Sequence, residues 1–330
     1  MSLLARLIDA GGEHRYELAE IRERLFIGEG DKPAKLTQFW MLLALSSFIA
    51  AGGVVFDSTP AVIGAMIIAP LATPIYGVAL ATTIGSVKGF RNSLLLMVAG
   101  IAVNILIGVL VALVAPERIP IEANPQITGR TAPELLDLGV AVATGIAGAF
   151  ALTRRDVSNI VAGVAIAISL VPVLAVAGIT LGSGRFDLAT GAFLLFLTNV
   201  AAILVSGVAV FGAARYYQAA SDAAPRAGRR ARVFIAVLVV LLLVPLGLAS
   251  LRTYRYHQWV SATHTSADEW VDGTRWKVES VSLEHDEIVV TVVGPDDPPS
   301  RTSLAQDVRR SVPESVVVRL IEVAGEDSEL

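Results

Sequence analysis

Seven long apolar runs constrain this chain more than any other feature of its sequence. They cover about residues 36–56, 60–84, 93–115, 135–152, 157–181, 188–213 and 233–251. A bilayer core about 30 Å thick is crossed by roughly 20 apolar residues in a helix. Hydrogen bonds within such a helix satisfy its backbone in lipid. The runs therefore predict an all-α polytopic membrane protein with about seven transmembrane helices.

The composition supports this prediction and excludes other classes of protein. Hydrophobic residues make up 54% of the chain and charged residues 17%, with a mean hydropathy of +0.65. A monomeric soluble enzyme this apolar would expose too much hydrocarbon to water. The net charge of −4 gives no reason to expect nucleic acid as a partner. Because the chain has no cysteine, disulfides, thiolate metal sites and thiol catalysis are excluded.

Lysine and arginine in the short loops predict the orientation of the chain. The segment 1–35 and the loops after the second, fourth and sixth runs carry most of them: Arg6, Arg15, Arg22, Arg24, Lys32, Lys35, Lys88, Arg91, Arg154, Arg155, Arg215, Arg226, Arg229, Arg230 and Arg232. The opposite loops hold only Arg118, Arg130 and Arg185. We therefore expect a multi-pass protein of the plasma (inner) membrane. Its N-terminus is expected to be cytoplasmic, and everything after residue 251 extracytoplasmic.

The two ends of the chain differ from the apolar middle. Residues 1–35 are too charged for a signal peptide. The spacing of Leu18, Ile21, Leu25 and Phe26 suits an amphipathic helix at the membrane surface or against the bundle, and a solvated polar extension fits equally well. Residues 252–330 predict a small extracytoplasmic α+β domain. Its expected elements are a first helix marked by Trp259 to Trp270, strands over 276–283, 287–293 and 315–323, and a helix over 304–310.

The apolar runs contain an internal repeat. The sequence around Gly64 resembles that around Gly163, and Pro74 and Pro172 follow these glycines at nearly equal spacing. One run later, Asn104 and Asn199 each lie in an apolar helix. This predicts two three-span repeats, 36–115 and 135–213, and an extra helix at 233–251. Repeats with an odd number of spans have inverted topology, as in many secondary transporters, although a duplication without a transport role would leave the same pattern.

Prolines and glycines are dense in the second and fifth runs, which predicts a binding site there. A proline inside a helix removes one backbone hydrogen bond, and in lipid the freed carbonyl needs another partner. The candidate substrate or ion-binding residues are Gly64, Pro70, Thr73, Pro74, Tyr76, Asn104, Gly163, Ser169, Pro172 and Asn199. Charges at the ends of the runs are Asp57, Asp156, Arg154 and Arg155. A packed kink and structural hydrogen bonds between helices remain alternatives.

Several segments resemble a known family. They include GAMIIAPL at 64–71 followed by Pro74, RTAP at 130–133, Asp137 with Gly145 and Gly148, GVAIA at 163–167, LVP at 170–172 and LLFLTN at 194–199. Over residues 36–215 the chain is similar to the prokaryotic uncharacterised hydrophobic domain membrane proteins (domain of unknown function 389). It departs from them at Ala69, where serine is frequent, and at Val173, where a second proline is frequent. The resemblance implies a multi-pass membrane protein and no particular activity.

Two functions from different classes are consistent with these features. The first is a transporter or channel for a small solute or ion, with its site between the second and fifth helices. The alternative is a membrane-anchored sensor or scaffold whose C-terminal domain binds a ligand or partner. No zinc-protease histidine pair or nucleophile elbow is present in the sequence, so we expect no enzyme, cofactor or metal. Expected partners are the lipid bilayer, a small solute or ion, and a second copy of the chain. The C-terminal domain and a small-residue face of the fourth run favour such a homo-oligomer; the face consists of Gly139, Ala143, Gly145, Gly148 and Ala149.

Overall fold

The computed structural model gives two compact units, residues 1–246 and 247–330, each considered by itself below. It describes residues 15–115, 120–131, 135–157, 170–219, 258–284, 287–295, 300–313 and 316–324, with the single positions 233, 237, 255 and 298.

The first unit consists of packed helices. They are α1 (Leu18–Leu25), α2 (Lys32–Val55), α3 (Thr59–Ile68), α4 (Ala72–Ile84), α5 (Val87–Val114), α6 (Leu135–Thr153), α7 (Leu170–Gly182) and α8 (Phe186–Ala213), with short turns at Ile121–Ala123, Pro125–Thr128 and Tyr216–Ala219. Among the described residues, α2, α5, α6 and α8 are long and apolar enough to cross a membrane, and α3 and α4 together form a fifth, bent candidate. The fifth predicted run is described only from residue 170. The seventh lies outside the described residues, except for positions 233 and 237.

Local sequence explains where the long helices begin. The Asp31 side chain accepts a hydrogen bond from the Ala34 backbone N–H at 3.1 Å, which caps the start of α2. Gly85 adopts a left-handed φ of 74° after α4, a conformation that glycine reaches without strain. The Ser86 side chain then accepts from the Gly89 N–H at 3.1 Å and caps α5. This sharp reversal brings α4 and α5 into an antiparallel pair.

Contacts between loops divide the bundle into two ends. At one end, the Tyr16 N–H donates to the Thr153 carbonyl at 3.0 Å, and the Tyr216 hydroxyl donates to the Tyr16 carbonyl at 2.9 Å. At the other end, Arg185 pairs with Glu122 at 2.9 Å. Residues 16, 153 and 216 therefore lie at one end of the bundle, and residues 122 and 185 lie at the other.

The outer surface of the bundle is apolar. On α5 the buried residues form a narrow stripe at helical spacing: Gly89, Ser93, Met97, Gly100, Asn104 and Gly108. Leu95, Leu106 and Leu113 are among the many exposed apolar side chains on the rest of this helix. A surface this apolar is stable in lipid and not in water. The first unit is therefore that of a membrane protein.

The second unit contains a three-stranded sheet in the order β1 (Lys277–Glu284), β2 (Glu287–Gly294) and β3 (Val317–Ala324). Strands β1 and β2 are antiparallel, whereas β2 and β3 are parallel because α10 (Arg301–Ser311) connects them. Residues 258–271 form a further helix, α9. Its Ala267 and Val271 join a core with Trp276, Ile288 and Leu304. The predicted strands and helices of this region are present within a few residues of the expected bounds.

Candidate functional site

A break between α3 and α4 interrupts the second apolar run. The two helices are bent by 43° at residues 69–71. Pro70 lies in this non-helical link and has no N–H, so the carbonyl four residues earlier lacks its usual helical partner. Pro74 instead lies in the first turn of α4, where a missing N–H costs no helical bond. Only the first proline therefore interrupts this run, although the sequence suggested that both do.

Asn104 is completely buried in the middle of α5, near this break. Neither its Oδ1 nor its Nδ2 has a hydrogen-bond partner among the described residues. One turn earlier, a Cβ on Gly100 would lie 2.9 Å from Leu71 Cδ2, in the link between α3 and α4. One turn later, a Cβ on Gly108 would lie 2.8 Å from the Ala175 carbonyl oxygen on α7. Along α5, Asn104 therefore lies between the contact with the α3–α4 link and the contact with α7.

Ser47 on α2 is the second polar group at this level. It is fully buried, and its hydroxyl has no partner among the described residues. The neighbouring Ser46 is equally buried, but its hydroxyl donates to the Leu43 carbonyl at 3.1 Å. Leu43 lies against Gly100, and α2 and α5 start at the same end of the bundle. One helical turn onward, Ser47 and Asn104 therefore fall at the same height.

The sequence did not single out Ser47, although two adjacent serines inside a long apolar run were visible. From the sequence alone, each serine could either bond within its own helix or offer its hydroxyl to another group. A serine hydroxyl in a helix often bonds the carbonyl of the preceding turn, as Ser46 does. Which of the two serines is satisfied in this way depends on neighbouring helices.

The other predicted site residues are spread more widely. The Tyr76 hydroxyl donates to the Gly145 carbonyl at 3.0 Å, which ties α4 to α6. Asn199 is buried on α8 and Thr73 is half-buried at the start of α4. Pro172 is buried near the start of the described part of α7. A Cβ on Gly64 would meet nothing within 4 Å, so this glycine is outside the close-packed centre. Gly163 and Ser169 lie outside the described residues.

The charges at the ends of the runs do not form one cluster. Arg154 pairs with Asp156 at 2.6 Å, and Arg155 pairs with Glu20 of α1 at 2.6 Å. The hydrogen bond from Arg155 holds the pKa of the Glu20 carboxyl below its ordinary value. Asp57, by contrast, occupies a left-handed turn (φ 49°) between α2 and α3, at the opposite end of the bundle. Asp156 and Asp57, both predicted from the sequence as site residues, therefore lie at opposite ends of the bundle.

Residues 120–131, between α5 and α6, pack onto the end of α2 and the start of α3. The Asn124 amide donates to the Val54 carbonyl in the last turn of α2 at 2.7 Å. The Gln126 amide donates to the Thr59 hydroxyl at the start of α3 at 2.9 Å. Arg130 donates to the Gln126 carbonyl at 2.8 Å and to its side-chain oxygen at 3.0 Å. Burial lowers the pKa of the Arg130 guanidinium. This polar clasp, residues 124–130, was not predicted from the sequence.

Two close helix crossings are formed by residues that are related by the same offset in the sequence. A Cβ on Gly108 of α5 would lie 3.0 Å from the Gly178 Cα of α7. A Cβ on Gly207 of α8 would lie 2.8 Å from the Ala79 Cβ of α4. Residue 207 follows 108 by 99 positions, and residue 178 follows 79 by the same 99 positions. The third helix of each predicted repeat thus packs against the described part of the second run of the other repeat.

Part of the small-residue face on α6 is used inside the chain. A Cβ on Gly145 would lie 3.0 Å from the Ser206 Cβ of α8, and Gly148 and Ala149 are also buried. Gly139 and Ala143 are exposed. The face proposed for contact with a second copy is therefore largely occupied by α8.

The chemistry of this region is that of neutral oxygen and nitrogen groups. Around the break it offers an amide, a hydroxyl and main-chain carbonyls, and the spans carry no charged residue in their middle. The described residues contain no group of three or more His, Asp or Glu side chains placed to hold a metal ion. Such a site can bind a ligand through hydrogen bonds or ion–dipole contacts.

Comparison with known proteins identifies a family domain but no activity. Residues 66–205 match the family model described as Domain of unknown function (DUF389). An uncharacterized protein of Methanocaldococcus jannaschii is 32% identical over 194 residues, which are 58% of this chain and 59% of that protein. The match thus spans about three fifths of the relative's length. No solved structure matches the chain. Residues 66–205 thus carry the DUF389 domain, as the motifs in the sequence predicted.

Proposed function

We propose that the protein is a membrane transporter or channel for a small polar solute or ion. Its site lies between the broken α3–α4 helix and the fifth span, beside Asn104 and Ser47. The observation that carries the proposal is the fully buried Asn104 side chain, whose two polar atoms have no partner among the described residues. A buried polar group without a partner costs about 1–3 kcal/mol. A ligand that bonds the amide would offset this cost.

The neutral chemistry of the site narrows the class of substrate. Amide, hydroxyl and carbonyl oxygens can replace the hydration shell of a monovalent cation, and they can also hydrogen-bond an uncharged polar molecule. A divalent cation or a polyanion would need opposite charges, because unpaired charge in a low-dielectric interior is very costly. The spans carry no such charges in their middle. The proposed substrates are therefore monovalent cations and small uncharged polar solutes.

The matching crossings support an inverted repeat, which is typical of secondary transporters. The spacing of 99 residues between Gly108 and Gly207 also separates Gly64 from Gly163. Asn104 and Asn199, in contrast, are 95 residues apart. Under the common spacing Asn104 corresponds to Ile203, so the two asparagines are not repeat equivalents. We propose that the two halves share a backbone arrangement while the polar site is asymmetric.

The topology that we propose is the one expected from the charges of the loops. The end of the bundle that holds α1 and residues 154–157 carries most of the loop arginines and lysines, which favours a cytoplasmic location. The clasp at residues 124–130 then lies at the opposite, extracytoplasmic end. A seventh helix at 233–251 would place the C-terminal domain on that same outer side.

Flux through proteoliposomes tests the proposal. The full chain is reconstituted, and uptake of Na⁺, K⁺ (as rubidium tracer) and urea is compared with empty vesicles. We expect uptake of at least one probe, and its loss in Asn104→Leu and Ser47→Ala. Ser46→Ala is the matched control, because that neighbouring hydroxyl is already bonded within α2. It should transport like the wild type.

Thermal unfolding of the same variants separates ligand binding from a structural role. If Asn104 and Ser47 are held ready for a ligand, replacing them with apolar residues removes unsatisfied groups and should raise the unfolding temperature. Loss of flux together with increased stability supports the site. Wild-type vesicles that pass none of the probes, or Asn104→Leu vesicles with undiminished flux, would refute it.

A further inference from the structure

A cavity lies at the α1 end of the bundle and does not include the residues of the proposed transport site. It has a volume of about 480 Å³ and is lined by α1, the turn at residues 26–29, and the first turns of α2 and α5 as far as Trp40 and Ala99. Phe26 anchors the turn against α5, where its ring would be 2.8 Å from a Cβ on Gly89. The cavity is thus formed by packing of the N-terminal segment onto two apolar helices.

One end of this cavity is positively charged. Arg22, Lys32 and Lys88 line it together with one carboxylate, Glu29, which gives a net charge of +2. Arg22 and Glu29 pair with each other at 2.5 Å, so the excess charge belongs to the two lysines. The helices α2 and α5 both begin here, and their dipoles add to the positive potential. This end favours an anion.

The other end of the cavity is apolar and reaches deep along the helices. Leu36 and Trp40 of α2 and Leu95 and Ala99 of α5 line it. From Lys88 to Ala99, α5 rises about 16 Å, which is about half of the bilayer core. Leu95 is 62% exposed, so the apolar end opens onto the outer face of the bundle. A soluble anion would leave this half of the cavity unused.

We infer that this cavity binds one anionic phospholipid, with its phosphate between Lys32 and Lys88 and an acyl chain between α2 and α5. A zwitterionic lipid would leave the net positive charge uncompensated. The inference requires that the bundle lies in a membrane but does not depend on transport. Anionic lipids are concentrated in the cytoplasmic leaflet, which is the side proposed for α1. The lipid would link the N-terminal segment to the membrane bundle.

Lipid-dependent thermal unfolding tests this inference. The full chain is purified in a neutral detergent and titrated with dioctanoyl phosphatidylglycerol, dioctanoyl phosphatidylcholine or inorganic phosphate. A ligand that binds the folded state raises the unfolding temperature in proportion to its occupancy. We expect saturable stabilisation by phosphatidylglycerol alone. Equal stabilisation by phosphatidylcholine, or by inorganic phosphate at the same concentration, would overturn the inference.

Two kinds of variant test the two ends of the cavity separately. Lys32→Gln with Lys88→Gln should weaken phosphatidylglycerol binding by at least about tenfold, since each cation near an anionic lipid contributes severalfold. Arg91→Gln is the control, because this exposed cation on the first turns of α5 does not line the cavity. Ala99→Phe fills the apolar end and should weaken binding while both lysines remain. Unchanged affinity in the lysine variant refutes the proposed headgroup position.

Discussion

Replacement of Gly108 by alanine tests the helix crossing that joins the two halves of the bundle. The new Cβ would lie 2.8 Å from the Ala175 carbonyl oxygen and 3.0 Å from the Gly178 Cα. Ordinary contacts begin at 3.4 Å, so the helices would have to separate by about 0.6 Å. Both neighbouring atoms belong to backbone, and no side-chain rotation can relieve the overlap.

The expected magnitude follows from two opposing effects. Overpacking of a close-packed interior costs about 1–3 kcal/mol, and a contact with backbone alone belongs at the upper end of that range. Alanine regains up to about 1 kcal/mol because it is a better helix former than glycine. The net loss is about 2 kcal/mol, which lowers the unfolding temperature by about 4–8 °C for a domain of this size.

Thermal unfolding in detergent measures this loss, with Gly52→Ala as the control. Gly52 also lies in an apolar helix, but a Cβ there would meet nothing within 4 Å. The control should unfold at the wild-type temperature or slightly above it. If Gly108→Ala is as stable as Gly52→Ala, the backbones are not in contact at this crossing, and the interlocked arrangement of the two halves is incorrect.

Three further changes test other parts of the bundle. Gly207→Ala should destabilise by about 1–2 kcal/mol through overlap with the Ala79 Cβ, and Ala79→Gly in the same chain should restore the unfolding temperature because it removes that atom. Asn124→Ala should cost about 0.5–1.5 kcal/mol in denaturant unfolding, since it removes one buried hydrogen bond to the Val54 carbonyl, which keeps the Asp57 N–H as a donor. Arg155 lowers the pKa of Glu20, so this pair stabilises the fold above the ordinary value of 4.5 and loses its effect as pH falls through the lowered pKa. The difference in unfolding temperature between the wild type and Glu20→Gln should therefore disappear at acid pH.

Hydrophobic runs were sufficient to predict a helical bundle with several apolar candidate spans. These signals are local, because one run of about 20 apolar residues already satisfies the thickness of a bilayer. The elements of the C-terminal sheet were also visible, since alternation along a strand is local. The break at Pro70 was expected for the same reason. The second break, which the sequence predicted at Pro74, is absent, because whether a proline interrupts or starts a helix depends on where the helix begins.

The polar site was only partly predictable. Asn104 stood out because an amide is rare in an apolar run. The sequence did not show, however, whether this amide binds a ligand or only makes a structural hydrogen bond to a neighbouring helix. Ser47 was missed because its neighbour Ser46 satisfies itself within α2, a difference that depends on packing. The clasp at residues 124–130 was missed because its partners lie 67–70 residues away in sequence. Long-range pairs of this kind leave no periodic pattern.

Helix α5 of the first half packs against α7 of the second half, and this packing has a consequence for biosynthesis. When α5 leaves the ribosome, the stripe of Asn104 and Gly108 still lacks α7, which is made more than fifty residues later. During that interval the amide and the glycine face lipid or a helper protein. A chain that stops after α6 would carry a permanently uncovered polar groove in the bilayer and would be a substrate for quality-control proteases. Assembly of this molecule is thus completed only when its second half arrives.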